Sequence, residues 1–382
     1  MRPTPFSLQV PEAAISDLKA RLAGTRFPDQ ADAPAWAFGT DLGFMRALAG
    51  YWKDGFDWRA AEARLNTFSQ FKLAIHGIDL HYLHVPGRGA APLPLLLSHG
   101  WPGSVFEFME LIPRLTDPAR FGGDPADAFT VVAPSLPGFG LSFQAGQPRF
   151  SVEQMADCFA TLMTEVLGYP RFATQGGDWG ASVSARLGFA HPDKTIGVHL
   201  NLLPLRRDTA QLGTSPAEQK YLGELRHWLA EETGYSHQQG TRPQTLAFAL
   251  TDSPVGLAAW IVEKMRSWSD CAGDVESVFS KDELLTNISL YWFTGAIGSS
   301  FWPYYARQHA TDWPIPDGCS VDVPMGYCEF PAEIVRPPRI LAERSFSDIR
   351  RWSVMPRGGH FAAMEQPEDL AQEIRAFYRG LR

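Results

Sequence analysis

The order of apolar and polar residues divides the chain into zones. In "VPEAAISDLKARLAGTRFPD", Ile15, Leu18 and Leu22 recur three and four apart, which predicts a helix with one buried face. Pro11 suits its first turn and Gly24 its stop. Leu42, Met45, Leu48 and Trp52 predict a second amphipathic helix. In "FKLAIHGIDLHYLHV" the period becomes two, with Ile78, Leu80 and Tyr82 on one face. Gly77 lies between two strand-like runs there and predicts a hairpin.

From Pro92 the rhythm changes again. Short apolar runs at Leu93–Leu97, Phe129–Val132, Arg171–Thr174 and Thr195–Leu200 alternate with helical stretches near 105–115, 151–167 and 180–190. Strands alternating with helices predict a parallel sheet. From about Leu205 to Asp312 the strand signals stop and the sequence is helical and rich in aromatics. Strand character returns in "CSVDVPMGYCEF" (319–330) and "RRWSVMP" (350–356). The chain ends on an amphipathic helix carrying Leu370, Ile374, Phe377 and Leu381, with Pro367 near its start. The expected architecture is one α/β domain with a helical insertion over the strand ends and an arm before it. Four segments follow: arm and first strands 1–90, core 91–204, lid 205–312, core 313–382.

Composition narrows the function classes. The 382 residues are 45% hydrophobic and 20% charged, an ordinary globular balance. The net charge of -8, from 34 basic and 42 acidic residues, argues against nucleic acid as a partner. The opening "MRPTPFSLQVPEAAIS" has no apolar stretch of the signal-peptide kind, and no run approaches the ~20 apolar residues of a membrane span. A soluble, cytoplasmic protein is the expectation. Cys158, Cys271, Cys319 and Cys328 form no C-x-x-C pair and H-E-x-x-H is absent, so the familiar zinc spacings are missing. Free thiols and no cofactor or metal are expected.

Candidate chemistry sits where a parallel sheet places its ligands, at the carboxyl ends of the strands. His99-Gly100-Trp101-Pro102-Gly103 follows the first run and Ser135-Leu136-Pro137-Gly138-Phe139-Gly140 the second. After the third comes "ATQGGDWGAS" (173–182), which has the spacing of a nucleophile elbow with Asp178 in place of the usual serine. The small residues an elbow needs are Gly176 and Gly180. A carboxyl of reference pKa ~3.9 is ionised at neutral pH without a base to activate it. The unpaired N–H groups at the start of the following helix favour that charge.

A carboxylate nucleophile suits attack at saturated carbon, opening an epoxide or displacing a halide. The resulting ester must then be cleaved by water, a division of one hard step into two. Water needs a base, and the candidate is His360 in "PRGGHFAAMEQP", after the last strand-like run. On an elbow fold the order is nucleophile, acid, histidine, so the acid lies between Asp178 and His360. Glu333 in "CEFPAEIV" is the choice, with Glu329 and Asp322 competing from within the strand-like run. Oxyanion donors are the backbone N–H groups of Trp179 and Trp101. G-x-D-x-G alone is a weak signal that ordinary turns also produce. HGWPG, SLPGFG and GGHF, each at a functional loop, are what give it weight.

Taken together, "FSLQVPEAAISDLKARLAGTRFPD", "HGWPGSVFEF", "SLPGFGLS", "GGDWGASVSARLG" and "RGGHFAAMEQPEDL" resemble the epoxide hydrolases of the microsomal type, as do "DSPVGLAAWIVEK" and "LLTNISLYWFTGAIGSS" in the lid. The resemblance covers almost the whole chain. It implies an α/β-hydrolase fold and conversion of an epoxide to a vicinal diol through an ester on Asp178. It also implies two lid tyrosines that protonate the epoxide oxygen. These match Tyr235 in "EETGYSHQQGTRP" and Tyr304 in "SSFWPYYARQ", with Tyr305 adjacent to the latter. The family's acid falls in the segment of Glu333. Its membrane-anchored members carry an extra N-terminal helix, so no membrane anchor is expected here.

The expected partners are a small-molecule epoxide and water, with a homodimer as the candidate assembly. Phe301 and Trp302 are candidate substrate-binding residues, suggesting a lipophilic or aryl epoxide. The rival readings are a haloalkane dehalogenase using the same aspartate, with Trp179 as halide ligand, and a catalytically silent binding protein.

Overall fold

The computed structural model describes residues 2–206, 212–310 and 313–382. The expected end of the lid at Asp312 lies outside the described residues.

Among the described residues nine strands form one sheet. In chain order they are β1 (Thr4–Phe6), β2 (Gln70–Ile75), β3 (Ile78–Val85), β4 (Leu93–Ser98), β5 (Phe129–Pro134), β6 (Phe172–Gly176), β7 (Thr195–Leu200), β8 (Met325–Glu329) and β9 (Ile349–Val354). Their order across the sheet is β1-β2-β3-β5-β4-β6-β7-β8-β9. β1, β2, β3 and β5 pair antiparallel, and every pairing from β5 to β9 is parallel. The expected hairpin turns at His76-Gly77, both at positive φ, as a tight two-residue turn requires. β1, absent from the sequence reading, adds the arm's first residues to the sheet edge. Edge strands tolerate the prolines that hid it.

Helices cover both faces. The arm contributes α1 (Glu12–Ala23), α2 (Leu42–Asp54) and α3 (Trp58–Leu65). Ile15, Leu18 and Leu22 are buried as their spacing predicts, and so are Met45, Leu48 and Trp52. The core supplies α4 (Leu111–Thr116), α5 (Val152–Thr161) and α6 (Asp178–Ala190). The helix expected over 151–167 is α5, opened by a Ser151–Gln154 capping box, followed by a π-helical turn at Leu162–Val166.

Between β7 and β8, apart from a single β-bridge from Val321 to Phe346, the described residues hold no strand of the sheet but helices. These are α7 (Pro216–Glu231), α8 (Gly234–Thr241), α9 (Pro243–Asp252), α10 (Pro254–Ser267), α11 (Lys281–Thr294), α12 (Ile297–Ser300) and α13 (Trp302–His309). After β8 come α14 (Arg339–Ala342), α15 (Ala362–Glu365) and α16 (Pro367–Tyr378). α16 buries Leu370, Ile374 and Phe377, while Leu381 falls in a separate final turn. Among the described residues no single helix is long and apolar enough to cross a membrane.

Arm and lid share one core. Leu18, Leu48 and Trp52 from the arm pack in the same cluster as Ile261, Leu285 and Ile288 from α10 and α11. Polar ties cross the seam: Trp52 Nε1 donates to Ser289 Oγ at 2.9 Å, and Thr40 Oγ1 to the Ala259 carbonyl at 2.9 Å.

Candidate active site

Asp178 stands where β6 turns into α6. Its φ is +47°, left-handed for a residue with a Cβ, which is the strained, exposed conformation of an elbow. The turn is possible only between glycines. A Cβ on Gly180 would lie 1.9 Å from the Ser98 carbonyl oxygen of β4, and one on Gly176 2.2 Å from the Gly180 carbonyl oxygen. Trp179 follows in the first turn of α6, whose backbone N–H groups have no partner within the helix.

The carboxylate is held from two sides. The Trp101 N–H donates to Asp178 Oδ1 at 2.8 Å. Asp178 Oδ2 lies 3.4 Å from His360 Nε2. On the other side of the imidazole, His360 Nδ1 bonds Glu333 Oε1 at 2.6 Å. Asp322, exposed and bonded to Ser320 and Ser347, and Glu329, inside β8, stand apart from this chain of contacts. Burial alone would lower the His360 pKa. The charges of Glu333 and Asp178 and their bonds to the ring outweigh it, and the pKa rises to about 10.

Lid residues fix both loops that present these groups. Asn287 Nδ2 of α11 donates to the Pro102 carbonyl at 2.7 Å, and Tyr291 Oη to that of Gly103 at 2.8 Å. The His360 N–H donates to the Trp268 carbonyl at 2.8 Å, just past α10, and Asp270 Oδ2 accepts from the Gly358 N–H at 2.8 Å. Glu365 accepts from the Asp270 and Phe361 N–H groups at 2.8 and 3.0 Å. Asn287 and Tyr291 lie in a quoted motif, yet no local pattern marks them as anchors of a turn nearly two hundred residues earlier.

Above the carboxylate is a cavity of about 280 Å³, walled by Asp178, Trp179, Leu202, Trp228, Tyr235 and Tyr304 among others. Tyr235 stacks on Trp101 at 5.3 Å and 11°. Tyr304 meets Trp179 edge-on at 4.8 Å, and the two phenol rings are 5.7 Å apart. Burial, then Tyr235 and Asp178, raise the Tyr304 pKa well above that of a free phenol, so the phenol is protonated at neutral pH.

Tyr305 faces away from the site, stacked between Trp302 at 5.1 Å and His309 at 4.1 Å. This corrects one expectation. Trp302 is two residues before Tyr304 on α13, about 200° round the helix, and shares the outer face with Tyr305. Phe301 is fully buried, with its ring 6.4 Å from that of Trp101. Neither Phe301 nor Trp302 lines the cavity.

A mostly parallel sheet with a carboxylate at the elbow, a histidine–carboxylate pair behind it and donors around it defines the α/β-hydrolase class. Comparison with known proteins narrows the class. Residues 3–108 match the family model for the epoxide hydrolase N terminus, and residues 94–201 that for the alpha/beta hydrolase fold. A relative from Stigmatella aurantiaca is 44% identical, covering 99% of this chain and 85% of its own length. Epoxide hydrolase 1 of Oryctolagus cuniculus is 37% identical over 98% of this chain and 88% of its own. The crystal structure of juvenile hormone epoxide hydrolase from the silkworm Bombyx mori superposes with a TM-score of 0.88 at 29% identity, covering all of this chain and 95% of the other. The chain belongs to the epoxide hydrolase family.

Proposed function

We propose that this epoxide hydrolase opens a lipophilic or aryl epoxide to a vicinal diol through a hydroxyalkyl ester on Asp178. The observation carrying the reading is the placement of two phenols, Tyr235 and Tyr304, over the wall that holds Asp178. Asp178 Oδ2, the oxygen not engaged by the Trp101 N–H, attacks a ring carbon while the carbon–oxygen bond breaks. The departing oxygen takes a proton from a phenol, so no free alkoxide is released.

Once esterified, Asp178 is neutral. His360 then loses one of the two charges that raise its pKa and gives up its proton more readily. Neutral His360, oriented by Glu333, deprotonates water, which attacks the ester carbonyl carbon. The oxyanion falls to the Trp101 N–H, already 2.8 Å from Oδ1, and to the Trp179 N–H. Collapse expels the diol oxygen, which takes the proton back from His360. The second proton of the water leaves the Asp178 carboxyl and returns the phenolate to phenol, so Asp178 is regenerated as a carboxylate with one oxygen from water. The apolar wall of Trp179, Leu202, Trp228 and Ile334 supports a lipophilic substrate.

Single turnover in oxygen-18 water, with enzyme in excess, tests the covalent step. The first diol should be unlabelled, its new oxygen coming from Asp178; a labelled first-turnover diol would mean direct attack by water. The dehalogenase reading is not favoured, since the relatives are epoxide hydrolases and two phenols line the same cavity as the carboxylate. Halide release from a bromoalkane at a rate matching epoxide turnover would reverse that preference.

A further inference from the structure

Asp178 borders a second, much smaller space. A cavity of about 20 Å³ is enclosed by Ser98, Glu107, Gln175, Asp178, Asn201 and His360 among others. One water needs roughly 10–15 Å³, so the space holds one. Asp178 is the only described residue that lines both this rear cavity and the substrate cavity.

The rear cavity has polar groups waiting for a partner. Ser98 and Gln175 are each 1% exposed, and Ser98 Oγ and Gln175 Oε1 have no hydrogen-bond partner. Gln175 is held by donating to Asn201 Oδ1 at 2.8 Å. Buried polar atoms without partners are uncommon, and around a water-sized space they point to an ordered water.

Glu107 is the remaining carboxyl on this wall. It belongs to a short turn after HGWPG and folds back over Gly103, where any Cβ would collide with its Oε1. Its carboxyl therefore occupies space that only a glycine at 103 leaves open. Desolvation first, then the charge of Asp178, hold the group above the ordinary carboxylic range, against the opposing pull of His360 and a bond from the Ser104 N–H. A neutral carboxyl both donates and accepts, which is what a bound water needs on its way to His360.

Glu107 also faces outward. A groove of about 460 Å³ runs between α3, the Phe106–Glu110 segment and the start of α11. Among the described residues, Glu107 and Ala363 line both this groove and the rear cavity.

We propose that the hydrolytic water is held in the rear cavity with Glu107 as its positioning residue, on a wall shared with the arm–lid groove and apart from the substrate cavity. This rests on the ester pathway proposed above. Glu107 touches neither the epoxide nor the ester carbon; it acts through the water that His360 deprotonates.

The test separates the two half-reactions by rapid quench with styrene oxide as probe, following covalent enzyme by mass spectrometry. In Glu107→Leu, ester formation should stay within about threefold of wild type, while ester hydrolysis slows about tenfold or more, the scale of one lost hydrogen bond to a reacting group. Glu107→Gln should restore most of the hydrolysis rate, because the amide also donates and accepts. If Glu107→Leu hydrolyses its ester at the wild-type rate while His360→Gln accumulates ester, the proposal is overturned and the ester pathway stands. Equal slowing of formation and hydrolysis, unrelieved by Gln, would mark Glu107 as merely structural and overturn it too. Absence of ester in every variant, His360→Gln included, would overturn the pathway itself.

Discussion

At the scale of single residues the governing fact is the charge on either side of one imidazole. His360 sits between Glu333 and Asp178, and its pKa is raised from 6.5 to about 10. A group raised on folding contributes stability that is complete below its unfolded pKa, ~6.5, and fades as pH climbs through the folded value. The protein should therefore lose stability between pH 6.5 and 10, and His360→Gln should flatten that slope in denaturant titrations run across the range. On the proposed pathway the same variant removes the base but leaves the nucleophile, so a substrate-derived adduct on Asp178 should persist in intact-mass spectra. Asp178→Asn should form no adduct at all. The residue scale is also where the sequence was most informative: an aspartate at the centre of an elbow spacing, followed much later by a glycine-flanked histidine, has few other uses. It was least informative for Glu107, whose carboxyl meets the site only because a turn doubles back over Gly103. No periodicity or spacing encodes that contact.

At the scale of elements, strands and helices hold the donors in place. Asn287 of α11 binds the turn that carries the Trp101 N–H, both through the Pro102 carbonyl and by accepting from Ser104 Oγ at 2.8 Å. Asn287→Ala should lower the rates of ester formation and ester hydrolysis together, since Trp101 serves both, and should cost about 1–3 kcal/mol of stability through the buried carbonyl left unpaired. Comparing the two rates distinguishes this from the one-sided effect expected at Glu107. The strands of the parallel half were legible because buried strands read as unbroken apolar runs. The orientation of lid helices was not. α13 carries aromatics on more than one face, and composition alone did not tell the inward Tyr304 from the outward Trp302.

At the scale of the whole molecule the arm acts as a third layer, packed into the core that the lid also uses. Trp52 is 2% exposed and spans that seam, with its indole N–H on Ser289. Trp52→Ala should cost about 3–5 kcal/mol, the usual loss for a large buried aromatic, seen as a lowered melting temperature. Because Ser289 shares α11 with Asn287 and Tyr291, activity should fall at temperatures below the main unfolding transition.

The lid's grip on both catalytic loops also bears on how a molecule gets in. A cover that swung open would pull Asn287 and Tyr291 off the Trp101 turn and Trp268 off the histidine loop, dismantling the machinery at every cycle. If α11 and the Trp268 segment stay seated through each cycle, access is left to the side of the cavity walled by α8 and α13. Turnover should then fall as the girth of the epoxide grows; equal rates across a series of increasingly bulky epoxides would count against it.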